Sequence, residues 1–124
     1  MTQYDSIYNE VRIKEENRRN TPVPINVAFD IDDTLYRVHE AGKCQVPDFK
    51  LMPLLFWFVE NGDNVYLWSA GGCDYALMIA MKFGIEQQVK ILRKGSTEVK
   101  MDLVFDDEAV QLGKTNVKID RNRH

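Results

Sequence analysis

Cysteine is scarce in this 124-residue chain, with only Cys44 and Cys73. Two isolated thiols cannot staple a fold, and no Cys-x-x-Cys spacing marks a zinc site, so both are expected to be reduced. Positive charge is not in excess: 16 Lys and Arg stand against 19 Asp and Glu, for a formal net charge of -3 and a sequence pI near 5.4. That balance excludes the global positive field with which a protein holds nucleic acid in bulk. No apolar run approaches the ~20 residues of a membrane span, which argues against a membrane partner. The polar, charged residues 1–20 do not resemble a signal peptide, so a cytoplasmic protein is expected. Repeats, coiled-coil heptads and low-complexity tracts are also missing. What is present is a globular composition, 44% hydrophobic and 28% charged, at a length that fits one domain over residues 1–124.

Residues 3–19 carry Tyr4, Ile7, Tyr8 and Val11 at helical spacing, which predicts an N-terminal helix packed on the flank of the domain. Pro22 and Pro24 end it. From residue 25 to about 119 short apolar segments alternate with helical ones. Strands are expected at 25–29, 64–68, 89–92, 103–105 and 117–119, and helices at 53–61, 74–83 and, briefly, 108–112. Residues 36–50 read as an irregular loop or flap. Such alternation predicts an α/β fold, a three-layer Rossmann-like parallel sheet with helices on both faces. The 74–83 helix is apolar nearly all round, so Met78 and Met81 are expected to fill core gaps. Phe56-Trp57-Phe58 is expected to pack mainly in the core.

Three of these strands end on polar residues: the first on Asp30, the second on Ser69 and the fourth on Asp106 and Asp107. In an open parallel sheet ligands bind beyond the carboxyl ends of the strands, so the three endings should share one crevice. Carboxylates ~4 Å apart repel by about 4 kcal/mol per pair at an effective dielectric of 20, unless a cation sits between them. Oxygen-only ligands favour a hard ion, and Mg2+ fits best because water and phosphate oxygens complete its shell. A phosphate substrate would also account for Ser69 as a donor and for Gly71 and Gly72, whose backbone can approach an anion at a helix N-terminus.

Phe29-Asp30-Ile31-Asp32-Asp33-Thr34-Leu35 resembles the Asp-x-Asp-x-Thr motif of the haloacid dehalogenase superfamily. Val65-Tyr66-Leu67-Trp68-Ser69 is similar to its second motif, and Leu103-Val104-Phe105-Asp106-Asp107 to its fourth. The motifs are in the family's order and direction, across residues 25 to about 119. The resemblance implies a haloacid dehalogenase-like core in which Asp30 attacks phosphorus to form an aspartyl-phosphate and also binds Mg2+. It implies that Asp32 protonates the leaving oxygen, later deprotonates the hydrolytic water, and lends its backbone carbonyl to the metal. Ser69, with the backbone at Ala70 and Gly71, would hold phosphate oxygens. Asp106 would be a metal ligand, and Asp107 a further ligand or a partner of one. The family's dehalogenases lack an acid at the position of Asp32, so phosphatase chemistry is favoured over dehalogenation.

The family's third motif is a lysine, and both Lys94 and Lys100 precede the fourth strand. Lys100 lies six residues before Asp106, which at ~3.3 Å per residue puts it at the wrong end of the sheet. Lys94 is chosen, with Arg93 as a neighbour. Asp33 and Glu108 are read as supporting residues, and His39 as an exposed loop histidine. Neither the interval from Thr34 to Ser69 nor that from Ser69 to Lys94 has room for the cap domain that larger members insert. The resemblance is therefore to the capless branch, whose open sites serve phosphate on proteins or nucleic-acid ends. The alternatives are a small-molecule or nucleotide phosphatase whose lid comes from an oligomer, or a non-catalytic phosphoacceptor or binding module.

Overall fold

The computed structural model describes residues 23–39, 44–48 and 50–120, and the side chains of 37–39 and 44–46 are not described. The expected N-terminal helix at 3–19 lies outside these residues. The described chain folds in the order β1 (Asn26–Asp30), β2 (Tyr36–His39), β3 (Cys44–Pro47), α1 (Leu51–Glu60), β4 (Asn64–Trp68), α2 (Cys73–Lys82), β5 (Lys90–Ile91), β6 (Met101–Asp106) and β7 (Gly113–Lys118). Five strands form one all-parallel sheet in the order β5-β4-β1-β6-β7. This is a Rossmann-like α/β arrangement with β1 at its centre. Among the described residues no helix is long and apolar enough to cross a membrane.

The two faces of the sheet follow from strand alternation. Val27, Phe29, Val65, Leu67 and Phe105 project to one face and meet Leu55 and Phe58 of α1 and Ala76, Ile79 and Ala80 of α2. The Phe29 and Phe105 rings stack there at 4.7 Å between centroids. Ala28, Tyr66, Trp68 and Val104 project to the other face and meet Leu92, Val99, Val110 and Leu112. Handedness explains the division. The crossings β1 to β4 and β4 to β5 run in the same lateral direction, so right-handed connections put α1 and α2 on one face. The return from β5 to β6 and the step to β7 then pass over the opposite face, where the described cover is the irregular connections 92–100 and 107–112 rather than helix.

Helix α1 begins two residues before the expected start, and Pro53 still lies in its first turn, where helical N–H groups lack partners. Asp48 Oδ1 accepts the N–H groups of Lys50 and Leu51 at 2.8 and 3.0 Å, supplying the anchoring that Lys50 does not. Gly62, at φ +82°, adopts the left-handed conformation that ends the helix.

Four expectations change. The flap of residues 36–50 contains an antiparallel hairpin, with Tyr36 opposite Pro47 and His39 opposite Cys44. The short helix at 108–112 does not form: Asn116 Oδ1 accepts the N–H groups of Leu112 and Gly113, and Val110 and Leu112 pack under the sheet instead. The last strand starts at Gly113, not 117, and its exposed Lys114 and Thr115 carry no apolar signal. Helix α2 is buried on one side only, through Ala76, Ile79 and Ala80, while Met78 and Met81 are 54% and 60% exposed and are not core. Cys73 at its start is exposed and outside any disulfide.

Gly113 shows how closely β6 and β7 approach. A Cβ there would lie 2.7 Å from Val104 Cγ2 and 3.2 Å from the Met101 carbonyl oxygen. Backbone on one side and a buried valine on the other leave little room to yield. Gly113→Ala is expected to lower unfolding free energy by about 1–3 kcal/mol; a chemical-denaturation midpoint equal to wild type would refute this packing argument.

Candidate active site

The site lies beyond the carboxyl ends of the central strands. Asp30 closes β1 and Asp106 closes β6, on adjacent parallel strands. Asp107 follows directly. All three are buried, and one carboxylate oxygen from each lies within 4.8 Å of the others. Lys94 stands two residues beyond Leu92, whose N–H donates to the Leu67 carbonyl and so continues the pairing of β5 with β4. Its Nζ donates to Asp30 Oδ1 at 3.2 Å and sits 2.8 Å from Asp106 Oδ2, an ion pair by distance without hydrogen-bond alignment. Lys100 lies at the amino end of the sheet, where its carbonyl accepts from Asn26 Nδ2.

The segment after Asp30 is wound tightly. The N–H groups of Thr34, Leu35 and Tyr36 all converge on the Ile31 carbonyl, and Asp33 takes φ 60°, a left-handed conformation that Asp tolerates better than most residues. Ile31 and Leu35 are fully buried and anchor this turn. Its result is that Thr34 Oγ1 donates to Asp30 Oδ2 at 3.2 Å, while Asp32 is carried outward and is exposed. The Asp32 side chain is not among the three clustered carboxylates. It accepts a hydrogen bond from Tyr75 in the first turn of α2.

Ser69 follows Trp68, which pairs with Asp30 across β1 and β4. Ser69 is buried and its Oγ accepts the Gly71 N–H at 3.0 Å, so its own O–H proton remains available to a ligand. Gly71 N–H is thus engaged with Ser69 in this conformation, while Ala70 is exposed beside it. Gly72, at φ +101°, turns the chain into α2. Of the expected residues the structure therefore gathers Asp30, Asp106, Asp107 and Lys94 into one contact set, and sets Ser69, Ala70 and Gly71 on the neighbouring strand end. Arg93 is exposed, and Glu108 N–H donates to Asp106 Oδ1. Tyr36 and Tyr75, which sequence reasoning did not single out, belong to the site as well.

Burial pushes the Asp30 carboxyl above the usual carboxylate range, and the Asp106 charge adds to it, against opposing pulls from Lys94 and Thr34. For Lys94 burial favours the neutral amine, but the close ion pair with Asp106 and the charge and hydrogen bond of Asp30 outweigh it and hold the ammonium above its ordinary value. Three carboxylates within 4.8 Å are an all-oxygen donor set of the kind that a hard cation such as Mg2+ takes, with room for water or phosphate to complete the shell. Asp30, Asp106 and Asp107 are the residues that fit it.

Neither protein-family models nor curated proteins give a match to this chain.

The raised affinity of Asp30 for its proton fixes the sign of a stability effect. Its folded value lies above the unfolded 3.8, so its contribution to stability is present at low pH and is lost as pH rises through the folded value. Lys94 is already included in that balance. In metal-free buffer at neutral pH, Asp30→Asn is therefore expected to raise Tm and to flatten the fall of stability with rising pH above about 4. A lower Tm for the variant would show that the ion pair with Lys94 outweighs the burial of charge.

Proposed function

We propose that the protein is a Mg2+-dependent phosphomonoester hydrolase working through an aspartyl-phosphate on Asp30. The observation that carries this reading is the buried Asp30, Asp106 and Asp107 cluster with Lys94 reaching two of its members. An acidic cluster alone has many uses. An acid that is buried, raised in proton affinity, hydrogen-bonded by a threonine and faced by a lysine is suited to hold both a cation and a phosphoryl group. The resemblance of the three motifs to the haloacid dehalogenase superfamily supports the same assignment of roles.

In this reading one Asp30 oxygen forms a bond to phosphorus as the bond from phosphorus to the leaving oxygen breaks. Asp32, exposed at the mouth, gives its proton to that oxygen and afterwards takes one from the water that cleaves the intermediate. Ser69 O–H and the Lys94 ammonium hold the phosphoryl oxygens. The divalent ion, when bound by Asp30, Asp106 and Asp107, supplies charge neutralisation to the incoming phosphate. Lys94, whose ammonium Asp30 and Asp106 favour, acts in this reading as a fixed positive charge and not as an acid.

Between Asp30 and Ser69 the described residues comprise only the tight turn, the β2–β3 strands, α1 and β4, and between Ser69 and Lys94 only α2 and β5. No segment there is large enough to be a closing domain. The site is accordingly suited to phosphate carried on a large substrate, a protein or a nucleic-acid end, in a cytoplasmic setting.

Phosphate release from 4-nitrophenyl phosphate is expected to depend on Mg2+ and to fall by roughly 10³-fold or more in Asp30→Asn. Lys94→Met is expected to lose about 10²–10³-fold. Full activity of Asp30→Asn would remove the nucleophile assignment, and stable phosphorylation without turnover would favour a phosphoacceptor module. A panel of small phosphate esters, phosphopeptides and 3′- and 5′-phosphorylated oligonucleotides tests the open site; preference for the small esters would point to a lid supplied by an oligomer.

A further inference from the structure

Behind Asp32 lies a short chain of hydroxyls. Tyr75 OH donates to Asp32 Oδ1 at 2.5 Å, and the hydroxyls of Tyr75 and Tyr36 are 2.5 Å apart. Each phenol has one proton. Because the proton of Tyr75 goes to Asp32, the Tyr36 hydroxyl must be the donor to Tyr75. The chain therefore runs in one direction, Tyr36 to Tyr75 to Asp32, and every donor in it is used.

The three residues come from three separate pieces of structure. Asp32 belongs to the turn after β1, Tyr36 opens the β2–β3 hairpin, and Tyr75 lies in the first turn of α2. Tyr36 is fully buried, with its ring tilted against Phe83 at 5.4 Å between centroids, so the far end of the chain is fixed by packing. The Tyr75 ring is fixed from the other side. A Cβ at Gly71 would lie 3.2 Å from Tyr75 Cδ2 and 3.3 Å from Ser69 Oγ, so this ring sits directly against the loop that carries Ser69. An exposed carboxylate in a turn ordinarily samples several rotamers. Here a hydrogen bond from a wedged ring removes that freedom.

We propose that Tyr75, held by Tyr36, is a positioning residue that fixes the Asp32 carboxyl group. Its hydroxyl occupies Oδ1 and leaves Oδ2 as the oxygen that exchanges a proton with the leaving group and with water. This inference rests on the phosphatase reading, in which Asp32 is the acid and base. Tyr75 does not touch the reacting phosphate; it restricts where Asp32 can point. Its loss should therefore be felt most where the departing oxygen cannot leave without a proton.

The test compares two substrates of the full-length protein with Mg2+: an alkyl phosphate, whose alkoxide must be protonated, and 2,4-dinitrophenyl phosphate, whose phenolate leaves as a stable anion. The quantity read is kcat/KM, which reports transfer from substrate to Asp30 and not the later hydrolysis. For Tyr75→Phe, which keeps the ring, kcat/KM is expected to fall about tenfold for the alkyl ester and at least fivefold less for the dinitrophenyl ester. Tyr36→Phe, which removes the donor to Tyr75 and keeps both rings, should show the same asymmetry at smaller size. Equal losses on both substrates, or no loss on the alkyl ester, would overturn the positioning role while the phosphatase reading stands. Wild-type protein that turns over neither ester would overturn both.

Discussion

Placing two carboxylates side by side at the ends of adjacent strands, out of water, is the constraint on which the rest of this structure turns. Asp30 and Asp106 cannot both ionise there without compensation. Lys94 supplies part of it, and its position is not incidental: the backbone before it is tied to β4 through Leu92, and the turn after it is closed by Ser96 N–H donating to the Arg93 carbonyl. Thr34 supplies another part through the turn wound on the Ile31 carbonyl. The residual strain appears as the raised proton affinity of Asp30. A fold selected for stability alone would place an amide there. Retaining the acid is understandable if a cation and a phosphoryl group complete the balance.

Much of this was legible in the sequence because its signals are local. Apolar runs ending on Asp30, Ser69 and Asp106 located three of the five sheet strands, and an all-parallel sheet necessarily brings such endings to one edge. Strand rise alone separated Lys94 from Lys100, and the structure puts them at opposite ends of the sheet. The hairpin was harder to see. Tyr36–His39 and Cys44–Pro47 are four residues each, too short for a period of two to stand out from a mixed polar segment. The last strand was shortened for a related reason, since an edge strand with exposed Lys114 and Thr115 has no apolar face to read.

Helix α2 shows a different limit. Its composition suggests heavy burial, yet Leu77, Met78 and Met81 face solvent. Composition reports what a helix can bury, whereas topology decides how many surfaces it meets. With both crossings running the same way, α2 has the sheet on one side, and Met78 and Met81 project from the other toward solvent. Tyr75 escaped notice on similar grounds. A tyrosine in a helix reads as packing, and only the closure of three elements around it brings its hydroxyl to Asp32. What sequence could have offered is its place, three residues after Gly72, in the helical turn that necessarily follows a strand end.

The two faces of the sheet divide the labour at the site. The helical face, through α2, delivers Tyr75 and the start of the loop carrying Ser69. The face crossed by residues 92–100 delivers Lys94. That crossing is irregular, and its backbone groups are met by local turns, as where Glu98 N–H donates to Ser96 Oγ. An irregular crossing covers less apolar surface than a helix would, and Leu92 and Val99 are only partly buried as they perform that task. In return the chain passes the carboxyl edge of β4 and β1 at a height that lets one lysine reach both buried acids. The economy of the fold and the geometry of its site are thus set by the same short segment, and shortening or stiffening it would alter both together.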